Sequence, residues 1–210
     1  YVIKDDQYKL YEKGDFNDVD ILVGYNSDEG GSFSWGDNYE NHPNIVKNRY
    51  GKFADTLLAA YPLGEEKVLN KTARDLMRDA AFGWQTWAWA SLQSKVGKVY
   101  IYYFDQPPAN ADGSYHGQDV NFVFQHINQG DSDIALSKAI GKYWTNFAKT
   151  GDPNGDGLPN WPQFTNENQT YMYLTGPTPH EGKTPSLEAM KVLDSYFAWR
   201  RTPEGAEWAQ

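Results

Sequence analysis

Between Val19 and Gly31 the chain reads Val-Asp-Ile-Leu-Val-Gly-Tyr-Asn-Ser-Asp-Glu-Gly-Gly, an apolar run that stops abruptly in turn-forming residues. Val19, Ile21, Leu22 and Val23 predict a strand buried on both faces, because a surface strand would alternate apolar with polar. Gly24, Asn26, Ser27, Asp28, Gly30 and Gly31 then force a sharp turn where that strand ends. Open α/β sheets place their chemistry in loops beyond the carboxyl ends of the strands, so the two acids of this turn, Asp28 and Glu29, are the first functional candidates. The alternative is that acids occupy the turn only because they are soluble.

Upstream, residues 1–3 and the polar segment after them, punctuated by Gly14, Asn17 and Asp18, read as an approach loop. Downstream, Phe33 and Trp35 set two aromatics beside Glu29, fit either for a core or for an apolar concave site. A helix is expected from about Asn44 to Ala60, with Ile45, Phe53, Leu57 and Leu58 inward, ended by Tyr61-Pro62-Leu63-Gly64. A second is expected from Glu65 into the low seventies. A third, from about Ala73 to Lys95, stacks Leu76, Ala80, Trp84, Trp87, Ala88 and Ser91 at spacings of three and four. The aromatics of this helix, Phe82 among them, fit either a ligand groove or core and helix-to-helix packing, and packing is the reading retained.

Gly97 closes that helix, and Lys98–Asp105 alternates β-branched with aromatic residues, which predicts a second strand ended by Gln106-Pro107-Pro108. A polar loop leads to Ser114-Tyr115-His116-Gly117-Gln118-Asp119, and Phe122-Val123-Phe124 is expected to pack back. A histidine thus follows the second strand as an acid follows the first. In a parallel sheet both strand ends reach the same edge, and Glu29 and His116 would meet there across the helical excursion between them.

A helix from Ser132 to Lys149, stopped by Gly151, carries Ile140, Trp144, Phe147 and Ala148 on one face. Asp152-Pro153-Asn154-Gly155-Asp156-Gly157 imitates the first half of a calcium loop, but its twelfth position is Gln163 in place of a bidentate Glu, and Pro159 interrupts the exit helix. A Gly/Pro turn is the reading retained. A short strand, Tyr171–Leu174, and a helix entered by Thr184-Pro185-Ser186, with Leu187, Met190, Leu193 and Phe197 inward, complete the chain.

Composition narrows the function classes. A net charge of -9 without a basic cluster argues against a nucleic-acid partner. No stretch is apolar enough for a membrane span, and a soluble globular domain is expected. With no cysteine, thiol nucleophiles and zinc-thiolate sites are excluded within these residues. The compartment is not legible, secreted and periplasmic locations both staying open.

An acid after one buried strand and a histidine after the next follow the order of the later triad members of an α/β-hydrolase. Four segments, in order, resemble the type B carboxylesterases, the group that includes the cholinesterases: Ile21–Gly30, His116–Phe124, Tyr143–Asn154 and Trp161-Pro162. The resemblance implies an α/β fold, the C-terminal part of an α/β-hydrolase, with residues 1–210 forming the later portion of a single domain. It implies a serine carboxylesterase working through an acyl-enzyme on a small-molecule ester, without metal or organic cofactor. Glu29 falls on the triad acid, His116 on the general base, Asp119 on a supporting carboxylate position usually held by Glu, and Phe33 on an aromatic of the substrate pocket. His42, His126 and His180 match nothing, and His42 and His180 are expected in loops.

No Gly-x-Ser-x-Gly occurs in the sequence, nor does the family's glycine-rich oxyanion loop. Both precede the acid in the family, so they are expected before Tyr1, in an N-terminal half that would be this chain's partner, and these residues alone are expected to be inactive. A catalytically inactive, cholinesterase-like interaction domain is the alternative.

Overall fold

The computed structural model describes residues 4–33, 38–65 and 70–208. Residues 1–3, Trp35 and most of the helix expected to start at Glu65 lie outside the described residues. Chain order is α1 (Gln7–Lys13), β1 (Ile21–Asn26), α2 (Glu29–Phe33), α3 (His42–Tyr50), α4 (Ala54–Ala60), α5 (Lys71–Arg78), α6 (Trp84–Gln93), β2 (Val99–Phe104), α7 (Gln118–Val123), α8 (Asp131–Thr150), β3 (Thr170–Leu174), β4 (His180–Lys183), α9 (Leu187–Arg200) and α10 (Pro203–Glu207). The chain divides into two compact units. The first comprises Tyr1–Asn26, Thr86–Gln106 and Gly117–Thr184, and the second Ser27–Gln85, Pro107–His116 and Pro185–Gln210.

The first unit holds a mixed sheet of order β1-β2-β3-β4. β1 and β2 pair in parallel from Ile21 opposite Val99 to Asn26 opposite Phe104, and β3 joins β2 in parallel. β2 is buried almost throughout instead of alternating, because it has a parallel neighbour on either side. β1 corrects the expectation of a strand buried on both faces. Val19 precedes the strand and is 57% exposed, and Leu22, Val23 and Gly24 are half-buried. Among the described residues β1 is an edge strand, paired with β2 alone.

α8 packs Leu136, Ile140 and Tyr143 onto Phe104, Phe122, Trp161, Met172 and Leu174. Its stripe begins a turn earlier than expected, which turns Ala148 outward. Gly151, at φ +71, ends the helix as predicted. The 152–157 segment is a hydrogen-bonded turn: the Asp152 carboxylate accepts from the Asn154 backbone and side chain, and Asn154 both donates to and accepts from the Trp161 backbone. Those bonds fold the segment back onto the Trp161 backbone.

Three further corrections concern this unit. The approach segment contains α1, which Asp6 caps through Tyr8 N and Lys9 N and Gly14 stops in the left-handed region. Phe122 packs inward from α7, but Phe124 is exposed. His180 opens the overlooked strand β4, antiparallel to β3, and stacks on its partner Tyr173.

In the second unit the helix expected over 44–60 is broken. Gly51, at φ +52, opens a 3-10 turn between α3 and α4. Val46, Tyr50, Ala54 and Leu57 form the buried stripe, whereas Ile45 faces out. His42 is the buried first residue of α3 and not a loop residue. α5 starts where Asn70 accepts from Ala73 N, and a π-helical turn, Asp79–Gly83, joins it to α6. The wider turn rotates the face, so Arg78 and Asp79 point inward and Ala80 is only half-buried. α9 supplies Met190, Leu193 and Tyr196 to this core, with Phe197 stacked on Trp84. The short α10, capped by Thr202 on Gly205 N, follows it. Among the described residues no helix is long and apolar enough to cross a membrane.

Candidate active site

β1 delivers the chain into Ser27 and Asp28, and Glu29 opens α2. The Asp28 carboxylate accepts from Gly31 N at 3.1 Å and pairs with the Arg74 guanidinium at 3.2 Å. Asp28, the other acid of the turn, is thereby committed to holding α2 against α5. Glu29 sits in the first turn of its helix, the end where the helix dipole favours a negative charge. Its side chain is only 5% exposed.

The second loop arrives alongside the first. Ser114 N donates to Ser27 Oγ at 2.8 Å, and Asp28 N donates to the Ser114 carbonyl at 2.9 Å. Asp28 and Tyr115 form an isolated parallel bridge. The two segments are therefore stapled two residues before Glu29 and two residues before His116. Equal offsets from the staple bring those side chains to the same place: His116 Nδ1 lies 2.6 Å from Glu29 Oε2. A carboxylate can only accept, so against an ionised Glu29 the Nδ1 atom would carry the proton and Nε2 would be left as the basic nitrogen. The imidazole is 48% exposed against a buried carboxylate. That asymmetry suits a ring anchored at one edge and presented at the other.

Two aromatic rings cluster with the imidazole. Phe33 lies 4.9 Å away, edge-on, and Phe82 lies 5.3 Å away, with 5.4 Å between the two phenyl rings. Sequence reasoning placed Phe33 at the site and missed Phe82, which it assigned to helix packing. Periodicity could not have found Phe82, because the π-helical turn that aims it breaks the helical period. The remaining sequence candidate, Asp119, has partners on the sheet: it accepts from Asn26 Nδ2 at 3.2 Å and from Tyr102 OH at 3.0 Å. It ties the start of α7 to β1 and β2. His126 is exposed beyond α7.

Behind the acid turn, α5 carries a dense ionic network. Asp75 pairs with Lys71 and with Arg78, each at 2.8 Å. Burial raises the Asp75 carboxyl above its ordinary value, while Arg78 and Lys71 pull it down. Tyr61 OH donates to Asp79 at 2.7 Å, and burial followed by the Asp79 charge pushes that phenol far above its ordinary range. Among the described residues no group of three or more His, Asp or Glu is arranged to hold a metal ion. What the site offers is an anchored, partly exposed imidazole packed against a pair of phenyl rings.

The sequence profile of the Carboxylesterase family matches residues 1–191. Carboxylesterase 4A from Bos taurus is 33% identical over 142 residues, covering 62% of this chain and 26% of its own length. Carboxylesterase 1C from Rattus norvegicus is 29% identical over 210 residues, covering 85% of this chain and 38% of its own length. In structure, the chain resembles a thermophilic PNB esterase with a TM-score of 0.72 and 26% identity, over 89% of this chain and 40% of that one. It therefore spans less than half the length of these relatives. The parallel strands, the inserted helices and the family match agree that the fold is part of an α/β-hydrolase and that the chain belongs to the carboxylesterase family.

Proposed function

We propose that this chain supplies the acid and the general base of a serine carboxylesterase whose nucleophile comes from a segment outside these 210 residues. The 2.6 Å contact between His116 Nδ1 and Glu29 Oε2 carries the reading. Glu29 fixes the tautomer and stabilises the imidazolium. His116 Nε2 takes the proton of the serine hydroxyl as its oxygen attacks the ester carbonyl, then returns that proton to the departing alcohol. Water repeats the sequence on the acyl-enzyme and releases the carboxylate. Phe33 and Phe82 line the approach to the imidazole and favour an apolar ester. Asp119 supports the base from a distance by fixing the helix that follows it.

A serine and oxyanion donors are both required for acyl transfer, so the 210 residues alone should not turn over ester. The test is hydrolysis of a short-chain nitrophenyl ester by this chain alone and by the chain joined to the N-terminal half of a carboxylesterase. Activity is expected only in the joined protein, dependent on Glu29 and His116. Serine-dependent turnover by the 210 residues alone, or a joined protein indifferent to His116→Ala, would overturn the proposal.

A further inference from the structure

Among the described residues Arg78 is the largest charged side chain fully withdrawn from solvent, at 2% exposure, and catalysis as described has no use for it. Its donors are distributed with little redundancy. Nε and Nη2 grip the two oxygens of Asp79 at 2.7 and 2.9 Å, Nη1 reaches Asp75 at 2.8 Å, and Nη2 also donates to Ser186 Oγ at 3.0 Å. The guanidinium also reaches outside this network: Nη1 donates to the backbone carbonyl of Ser27 at 3.2 Å.

A buried ionic network is weak evidence for stability, since apolar residues of the same volume often serve as well. It does impose geometry. The planar guanidinium fork, seated on Asp79 by one edge, has its other arm aimed in a fixed direction, which a lysine ammonium cannot reproduce. That arm is shared between Asp75 and the Ser27 carbonyl. The Ser27 hydroxyl in turn accepts from Ser114 N, forming the staple two residues ahead of both Glu29 and His116. Ser27 and Ser114 are themselves almost fully buried, so these bonds do not compete with solvent.

We propose that Arg78 is a positioning residue for the Glu29–His116 pair, acting through Ser27: it sets where the staple lies and hence whether the imidazole meets the carboxylate. The inference rests on reading that pair as acid and base, and its test separates the two. The measurement is the pair of ring 15N resonances of His116 in buffer alkaline enough to neutralise an imidazole. They report which nitrogen carries the proton. In water the Nε2–H form prevails, whereas an imidazole gripped by Glu29 holds its proton on Nδ1.

The unsubstituted protein should show the Nδ1–H form and Glu29→Ala should lose it. Arg78→Lys and Arg78→Met should lose it as well while remaining folded. Ser186→Ala removes another Arg78 contact without touching Ser27 and should keep it. A water-like tautomer mixture before any substitution would defeat the acid-base reading itself. An Nδ1–H signature intact in both Arg78 variants would overturn only the positioning role. Unfolding of Arg78→Lys together with Arg78→Met would reduce Arg78 to a structural group and overturn that role too.

Discussion

Gly30→Ala sets two physical effects against each other with opposite signs. Gly30 lies in α2 without a left-handed φ, and in a helix alanine is preferred to glycine by about 1 kcal/mol. Propensity alone predicts stabilisation. The packing predicts the reverse. A methyl group on Gly30 would overlap the Arg74 carbonyl oxygen and lie 2.9 Å from its carbonyl carbon. Arg74 is mid-helix in α5, so its backbone cannot retreat, and its guanidinium holds Asp28 from the same side.

The α2–α5 interface must then open by on the order of 1 Å to reach van der Waals separation. Overpacking of this kind costs about 1–3 kcal/mol, which cancels the helix preference at its low end and exceeds it over the rest of the range. For a chain of this size each kcal/mol lowers the melting temperature by roughly 2–4 °C. Glu29 rides on α2, and a 2.6 Å contact to His116 has no slack for such a shift. In the joined esterase a displacement of about 1 Å would lower kcat by as much as ~100-fold. Urea and thermal unfolding of Gly30→Ala, with the His116 tautomer read alongside, provide the assay. Equal or greater stability with an unchanged tautomer would refute the packing argument.

Two other outcomes follow from the ionic groups. Tyr61→Phe strips a donor from buried Asp79 and should cost about 1.5–3 kcal/mol in urea unfolding at unchanged m, the range for hydrogen bonds to charged groups; a loss under about 0.5 kcal/mol would refute this. Asp152 is held below its ordinary 3.8, chiefly by the Asn154 N–H, so the folded state favours the ionised form. Its contribution is present above the unfolded value and is lost as pH falls through the lower folded one. The stability gap between the unsubstituted protein and Asp152→Asn should be widest near neutrality and close below pH 3.8, as paired urea titrations would show; a gap that persists in acid would count against it.

Local sequence made some elements plain. The 98–105 run became β2, the helix before Gly151 became α8, and the acid and histidine behind the two strands became a bonded pair. Where reading failed, a local rule had been overridden. Gly51 split a periodic helix through one positive φ. The π-helical turn at Asp79–Gly83 rotated the stripe and brought Phe82 to the imidazole. The polar tetrapeptide His180–Lys183 became a strand only because β3 offered it a pairing edge.

Periodicity and turn chemistry, signals that lie within a few positions of each other, marked the strands, the helices and the turns that carry Glu29 and His116, and the order of those motifs along the chain pointed to the family. Tertiary structure decided what holds those residues in place: the Ser27–Ser114 staple, the Asp28–Arg74 pair and the buried reach of Arg78. Each joins positions tens of residues apart. Their partners are chosen by hydrogen-bond geometry and burial, which exist only once the helices have packed.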